Sequence, residues 1–178
     1  MDIFEQKQVL ETFQILVDTR EQDTERARDR YERMNVPVFR AKLNYGDYTY
    51  NATLPSGETL FDINSNVNPI CAVERKMSLD ELAMCLGKDR KRFQREFERA
   101  KEAGARVILL CENASWENLI NGRYRSKLNP NAYLGSLVAW AARYDFQLLF
   151  CKEETSGRLI KEYLYRDLKE RLERGEFG

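Results

Sequence analysis

The ten residues Cys71-Ala-Val-Glu-Arg-Lys-Met-Ser-Leu-Asp80 constrain this chain more than any other stretch. Three apolar residues lead into a carboxylate, a guanidinium and an ammonium in succession, and the segment then turns toward a helix. Side chains alternate along a strand, so Glu74 and Lys76 share one face while Val73 and Arg75 take the other. Such a pair is costly to bury and gains little if left solvated. It makes sense at the edge of a cleft, with Glu74 on a divalent cation and Lys76 on an attacking water or a phosphate oxygen. A second carboxylate is then needed. The chain offers Asp47 in Tyr45-Gly-Asp-Tyr48 and Asp18 in Val17-Asp-Thr-Arg-Glu21.

The composition narrows the chemistry further. The 178 residues include no histidine, which removes the commonest general base, the usual zinc ligand and the Ser-His and Cys-His nucleophile systems. Carboxylate, lysine and a hard metal ion remain for hydrolysis. Lys and Arg total 29 against 29 Asp and Glu, so bulk positive charge does not drive nucleic-acid binding and any contact must come from local clustering. The four cysteines, Cys71, Cys85, Cys111 and Cys151, lack CxxC spacing and read as buried, reduced thiols. With no signal-peptide pattern and no long apolar span, a cytoplasmic protein is expected. The length suits one domain.

Read in order, the chain opens with a short amphipathic helix over 2–13 and a buried strand over 14–19 that delivers Asp18 at its end. Asp18 there either caps a turn or the next helix, or lies beside a metal. A charged helix follows over 25–34, closed by Asn35-Val-Pro37. Strands are expected over 38–43 and 48–54, joined through Tyr45-Gly46-Asp47, where glycine lets Asp47 project from a tight bend. Pro55-Ser-Gly57 has hairpin chemistry, with a return strand over 59–63. The hairpins lead into the motif strand, which describes a mixed sheet with a catalytic edge. Ser78 and Glu81 form a capping box, placing Asp80 in a first helical turn, where the backbone dipole favours a carboxylate whatever its other role.

The next helix carries the most basic stretch, Lys88-Asp-Arg-Lys-Arg-Phe-Gln-Arg95. Phe93 and Phe97 form its buried stripe, leaving Arg90, Lys91, Arg92 and Arg95 facing outward as a solvated face or a phosphate-binding surface. A central strand at 106–111, a short helix at 116–120, a helix at 131–144, a strand at 146–151 and a capped helix at 156–173 complete the chain. The basic loop Asn121-Gly-Arg-Tyr-Arg-Ser-Lys127 could stack on single-stranded DNA, but reads more simply as a soluble loop. Strands that first carry carboxylates and then alternate with helices describe an α/β domain with a mixed central sheet and helices on both faces.

Four ordered pieces of this sequence resemble the XPF-type structure-specific endonuclease domain. They are Asp18-Thr-Arg-Glu21, Gly46-Asp47, Glu74-Arg75-Lys76, and Asp80 after three further residues. The similarity continues through Lys88-Asp-Arg-Lys-Arg-Phe93 to Glu154-Thr155, covering about residues 14–171 of a single domain over 1–178. The resemblance implies a restriction-endonuclease-like fold and a Mg²⁺-dependent DNA endonuclease in which Mn²⁺ substitutes. It implies Asp47, Glu74 and Asp18 as metal ligands, Lys76 as a further catalytic group, and Arg20, Glu21, Arg75 and Asp80 as supporting residues. Arg90 in particular matches an arginine of the family. Family members cut branched or flap DNA near single-strand junctions, often aided by a tandem helix-hairpin-helix domain that this sequence lacks. A homodimer or a separate partner would then supply duplex binding. Two other readings stand beside it, a catalytically silent DNA-binding platform of the same fold and a protein-interaction domain whose charges are all solvated. Intact Asp47, Glu74 and Lys76 speak against the first, and the Glu74–Lys76 pairing on one strand against the second.

Overall fold

The computed structural model describes residues 1–177. Six strands form one sheet: β1 (Gln14–Asp18), β2 (Val38–Ala41), β3 (Tyr48–Asn51), β4 (Cys71–Lys76), β5 (Arg106–Glu112) and β6 (Gln147–Cys151). The helices are α1 (Ile3–Glu11), α2 (Glu25–Met34), α3 (Leu79–Leu86), α4 (Arg90–Glu102), α5 (Trp116–Ile120), α6 (Pro130–Tyr144) and α7 (Glu153–Glu173). The spatial order is β2-β1-β3-β4-β5-β6. β3 runs antiparallel to both its neighbours, and the remaining pairs are parallel.

This topology explains why both faces are covered. β1 and β4 point the same way, since each is antiparallel to β3. The β1-α2-β2 connection steps outward on one side, and the β4-to-β5-to-β6 connections step outward on the other. Crossovers of one preferred hand then deposit their helices on opposite faces. α2 packs with α1 and α7 on one face, α3, α4 and α6 on the other.

The motif strand shows the alternation that its sequence implies. Cys71 and Val73 enter one core with Val9, Met34, Ile160 and Leu164. Ala72 enters the other with Leu82, Phe93, Phe97 and Trp140. Continuing the alternation, Glu74 and Lys76 face α3 and α4, and Lys76 Nζ sits 5.1 Å from the centre of the Phe93 ring. The four cysteines are unpaired thiols, with Cys71, Cys85 and Cys111 buried.

β3 and β5 flank β4, so the motif strand is interior to the sheet. Two local expectations are corrected. The return strand over 59–63 reduces to a single Thr53–Thr59 bridge. There the Asn51 side chain occupies the backbone of Phe61 through two bonds of 3.0 Å, and Asp62 accepts from Asn64 N and Ser65 Oγ. Side chains thus take the backbone partners that a ladder would use. Finally, α7 begins at Glu153, so Ser156 is a buried residue within it and not a cap.

The crossing of α2 and α7 depends on Gly157. A Cβ there would lie 2.4 Å from the Arg30 carbonyl oxygen and 3.2 Å from Arg33 Cβ, whereas one on Gly135 in α6 would meet nothing within 4 Å. In urea titrations, Gly157→Ala should lose about 2–3 kcal/mol through overpacking. Gly135→Ala should gain roughly 0.5–1 kcal/mol from helix propensity alone. Equal effects of the two substitutions would contradict this packing.

Candidate active site

Gly46 brings Asp47 to the motif strand. Its φ of +74° lies in the left-handed region, and a Cβ there would stand 2.8 Å from Ala72 Cβ. Any side chain would therefore be strained twice, once by φ and once by contact. The bend that follows locks Asp47 by its backbone: its N–H donates to the Val73 carbonyl, and its own carbonyl accepts from Asp18 N, both at 2.8 Å. Asp47 Oδ2 accepts the Arg75 backbone N–H at 2.7 Å. Its Oδ1 has no protein donor among the described residues.

Glu74 and Lys76 are 5% and 8% exposed. Lys76 Nζ donates to Glu74 Oε1 at 2.5 Å, and Glu74 also lines a crevice of about 10 Å³ with Gly46, Glu96 and Phe97. That volume has room for about one water. Burial, followed by the neighbouring Glu74 charge, raises Asp47 well above the usual carboxylate range. Burial raises Glu74 as well, against the opposing pull of Lys76. Burial alone would lower the Lys76 ammonium, but Glu74 and Asp47 reverse this and hold it above its ordinary value. Lys76 is therefore firmly protonated, bonded to Glu74 with the Asp47 carboxyl acting on it by charge.

Asp18 lies across from Asp47, its backbone N–H donating to the Asp47 carbonyl at 2.8 Å, while its carboxylate is engaged elsewhere. It is fully buried, and its two oxygens accept from Arg20 N, Arg20 Nε, Arg20 Nη2 and Leu43 N at 2.6–3.1 Å. Its side chain projects beside Leu43, so it grips Arg20, and Arg20 continues to Glu96 at 3.3 Å. The bond to Asp18 raises the Arg20 guanidinium above its ordinary value. Among the described residues, no three acidic, cysteine or histidine side chains gather as a metal-holding set. In this arrangement the Asp18 carboxylate anchors Arg20.

A second polar network occupies the opposite face. Arg75 turns its guanidinium there and meets Glu112 at 3.1 Å and Glu21 at 3.5 Å. Glu112, fully buried, also takes Arg30 Nε at 3.0 Å, and Arg30 reaches Ser156 and Tyr48. Arg20, Glu21, Arg30, Arg75, Arg92 and Glu112 line one cleft of about 570 Å³. Sequence reasoning missed Arg30, Glu96, Glu112 and Ser156. Glu112 left one readable trace: it ends an apolar strand with the parity that puts it on the Arg75 face.

The remaining predicted residues lie nearby. Asp80, in the first turn of α3, accepts from Arg125 N and Ser126 N at 2.7 Å each. Arg90, Lys91, Arg92 and Arg95 are exposed on α4, while Phe93 and Phe97 are buried. The Arg90 guanidinium lies 5.4 Å from the Trp140 ring and donates to the Leu86 carbonyl. All of these groups surround the carboxyl ends of β1, β4 and β5, the usual place for a site in open α/β sheets.

Residues 17–163 match the family model of the ERCC4 domain. Among solved structures, XPF from Aeropyrum pernix superposes with a TM-score of 0.61 at 19% identity, over 92% of this chain and 69% of that one. XPF from Aeropyrum pernix in complex with DNA gives 0.59 at 22% identity, over 88% and 65%. The chain thus spans about two thirds of the length of those structures. No curated protein matches it. The neighbours share the mixed six-stranded sheet with flanking helices. In sequence, the match runs across most of the 178 residues, and the chain belongs to the ERCC4 domain family.

Proposed function

We propose that this chain is a metal-dependent endonuclease that hydrolyses DNA phosphodiester bonds, acting at branched DNA or single-strand/double-strand junctions. The carrying observation is the gathering of two buried carboxyl groups, Asp47 and Glu74, around the Lys76 ammonium at the end of β4. Each carboxylate keeps one oxygen without a protein donor among the described residues. Neighbouring carboxyl oxygens that lack protein donors fit a hard divalent ion, Mg²⁺, with Mn²⁺ as a substitute. Family membership and the DNA complex of the Aeropyrum pernix XPF support DNA as the partner.

In this reading Asp47 and Glu74 hold the ion, which when bound neutralises phosphate charge and acidifies a water. Lys76 orients that water or holds a phosphate oxygen. Asp18 acts through Arg20, and Arg75 fixes Asp47 by its backbone N–H while Glu21 and Glu112 fix its side chain. Arg90, Lys91, Arg92 and Arg95 hold the DNA backbone by charge. A neutral chain needs further cations to grip duplex tightly, which a second copy or a separate protein would contribute.

Labelled linear duplex, single-stranded, flap and fork DNA with Mg²⁺ or Mn²⁺ test the reading directly. Flap or fork DNA should be cut in preference to linear duplex, and EDTA and Asp47→Ala should each abolish cutting. Cutting that survives both would overturn the metal-dependent reading, and linear duplex cut as fast as forks would overturn junction preference. DNA bound but never cut would identify a silent platform.

Lys76→Ala separates chemistry from binding. We expect kcat to fall by roughly 10²-fold or more, as for loss of a positioned donor, with the DNA Kd little changed. Parallel loss of both would remove Lys76 from the chemistry.

A further inference from the structure

The segment between α5 and α6 alternates in exposure. Arg123, Arg125 and Lys127 stand exposed, and Tyr124, Ser126 and Leu128 turn partly inward. The inner side is anchored. Tyr124 meets Tyr133 edge-on at 5.3 Å and donates its hydroxyl to the Leu128 carbonyl, and Tyr133 donates to the Leu79 carbonyl, both at 2.7 Å. The outer side is anchored through Asp80, one residue further along α3. A single oxygen, Oδ1, accepts the consecutive Arg125 and Ser126 backbone N–H groups at 2.7 Å, while Oδ2 meets Arg125 Nε at 3.4 Å. The Arg125 side chain remains 93% exposed. Asp80 thus holds the backbone of the segment and leaves its cations outward, four residues beyond Lys76.

We propose that Arg123, Arg125 and Lys127 form a second contact surface for the nucleic-acid backbone, and that Asp80 is the positioning residue that clasps it to the motif strand. A merely solvated loop would not need two main-chain bonds to one carboxylate oxygen beneath three exposed cations. α4 supplies a further basic surface, with Arg92 lining the cleft that Arg75 and Met77 also line at the end of β4. The inference rests on the DNA reading above and deepens it.

The test uses the sign of a charge effect. Removing an acidic group beside a DNA-binding surface should by charge alone tighten binding. The clasp requires the opposite for Asp80→Ala. With labelled fork DNA in EDTA, so that no cutting occurs, Asp80→Ala should weaken binding about fivefold or more, and Asp80→Asn, which keeps an accepting oxygen, should recover most of that loss. Amide exchange at Arg125 and Ser126 should quicken in Asp80→Ala and remain slow in Asp80→Asn. Joint replacement of Arg123, Arg125 and Lys127 by Ala should lower the slope of log K against log salt by about 2–3. In cutting assays the loss should fall on KM and not on kcat.

Binding by Asp80→Ala as tight as the parent or tighter overturns the clasp. If Asp80→Ala does not fold, loss of binding by the well-folded Asp80→Asn despite slow exchange at Arg125 and Ser126 overturns it equally. An unchanged Kd and salt slope in the triple variant, with Arg92→Ala still weakening binding, overturns the second surface and leaves the nuclease reading standing. Absence of DNA binding by the parent chain sinks both.

Discussion

The Lys76 to Glu74 hydrogen bond is made at the buried end of β4, where each partner would be expensive alone. Much of the surrounding architecture follows from keeping that bond. Phe93 and the first turns of α3 and α4 cover it, and the parallel β4–β5 pairing holds the strand beneath it rigid. Gly46 then admits Asp47 to the same place, which sets a second buried carboxyl beside Glu74 and raises Asp47 well above the usual carboxylate range.

Arg75 connects this set to the opposite face. Its backbone N–H donates to Asp47, and its side chain crosses to Glu21 and Glu112. Glu112 and Arg30 are both deeply buried and paired, so loss of the Glu112 carboxylate would leave the Arg30 guanidinium buried without a counter-charge. Gly157 lets α7 come close enough to α2 for Ser156 to reach Arg30. The helix crossing, the second network and the placement of Asp47 are therefore parts of one mechanical arrangement, linked through a single strand whose residues alternate between the two faces.

The parts of this that could be read from the residues were those carried by local periodicity. Alternation along Cys71–Lys76 assigned Glu74 and Lys76 to one face, and the Phe93/Phe97 stripe turned the α4 cations outward. Gly46-Asp47 was legible as a bend, although only Ala72 beneath it shows why glycine is required there. Asp18 was legible as an acid at a strand end, but not as the partner of Arg20 and Leu43 N, because nothing in Val17-Asp-Thr-Arg-Glu21 says where the 38–43 segment returns. The hairpin failed for a similar reason: the Asn51 amide, ten residues away, takes the Phe61 backbone.

By itself, then, the sequence determined the α/β class, the motif strand, the residue types of the candidate site and the face each strand residue takes, since all of these depend on spacing within a few residues. Tertiary structure decided which carboxylates meet. It placed β4 in the middle of the sheet, withdrew Asp18 to Arg20, joined Glu112 to Arg30 across 82 residues, and hung the 123–127 segment on Asp80. The physical reason is that a side chain's charge has no assigned partner until packing brings one within hydrogen-bonding distance and removes the water that would otherwise serve.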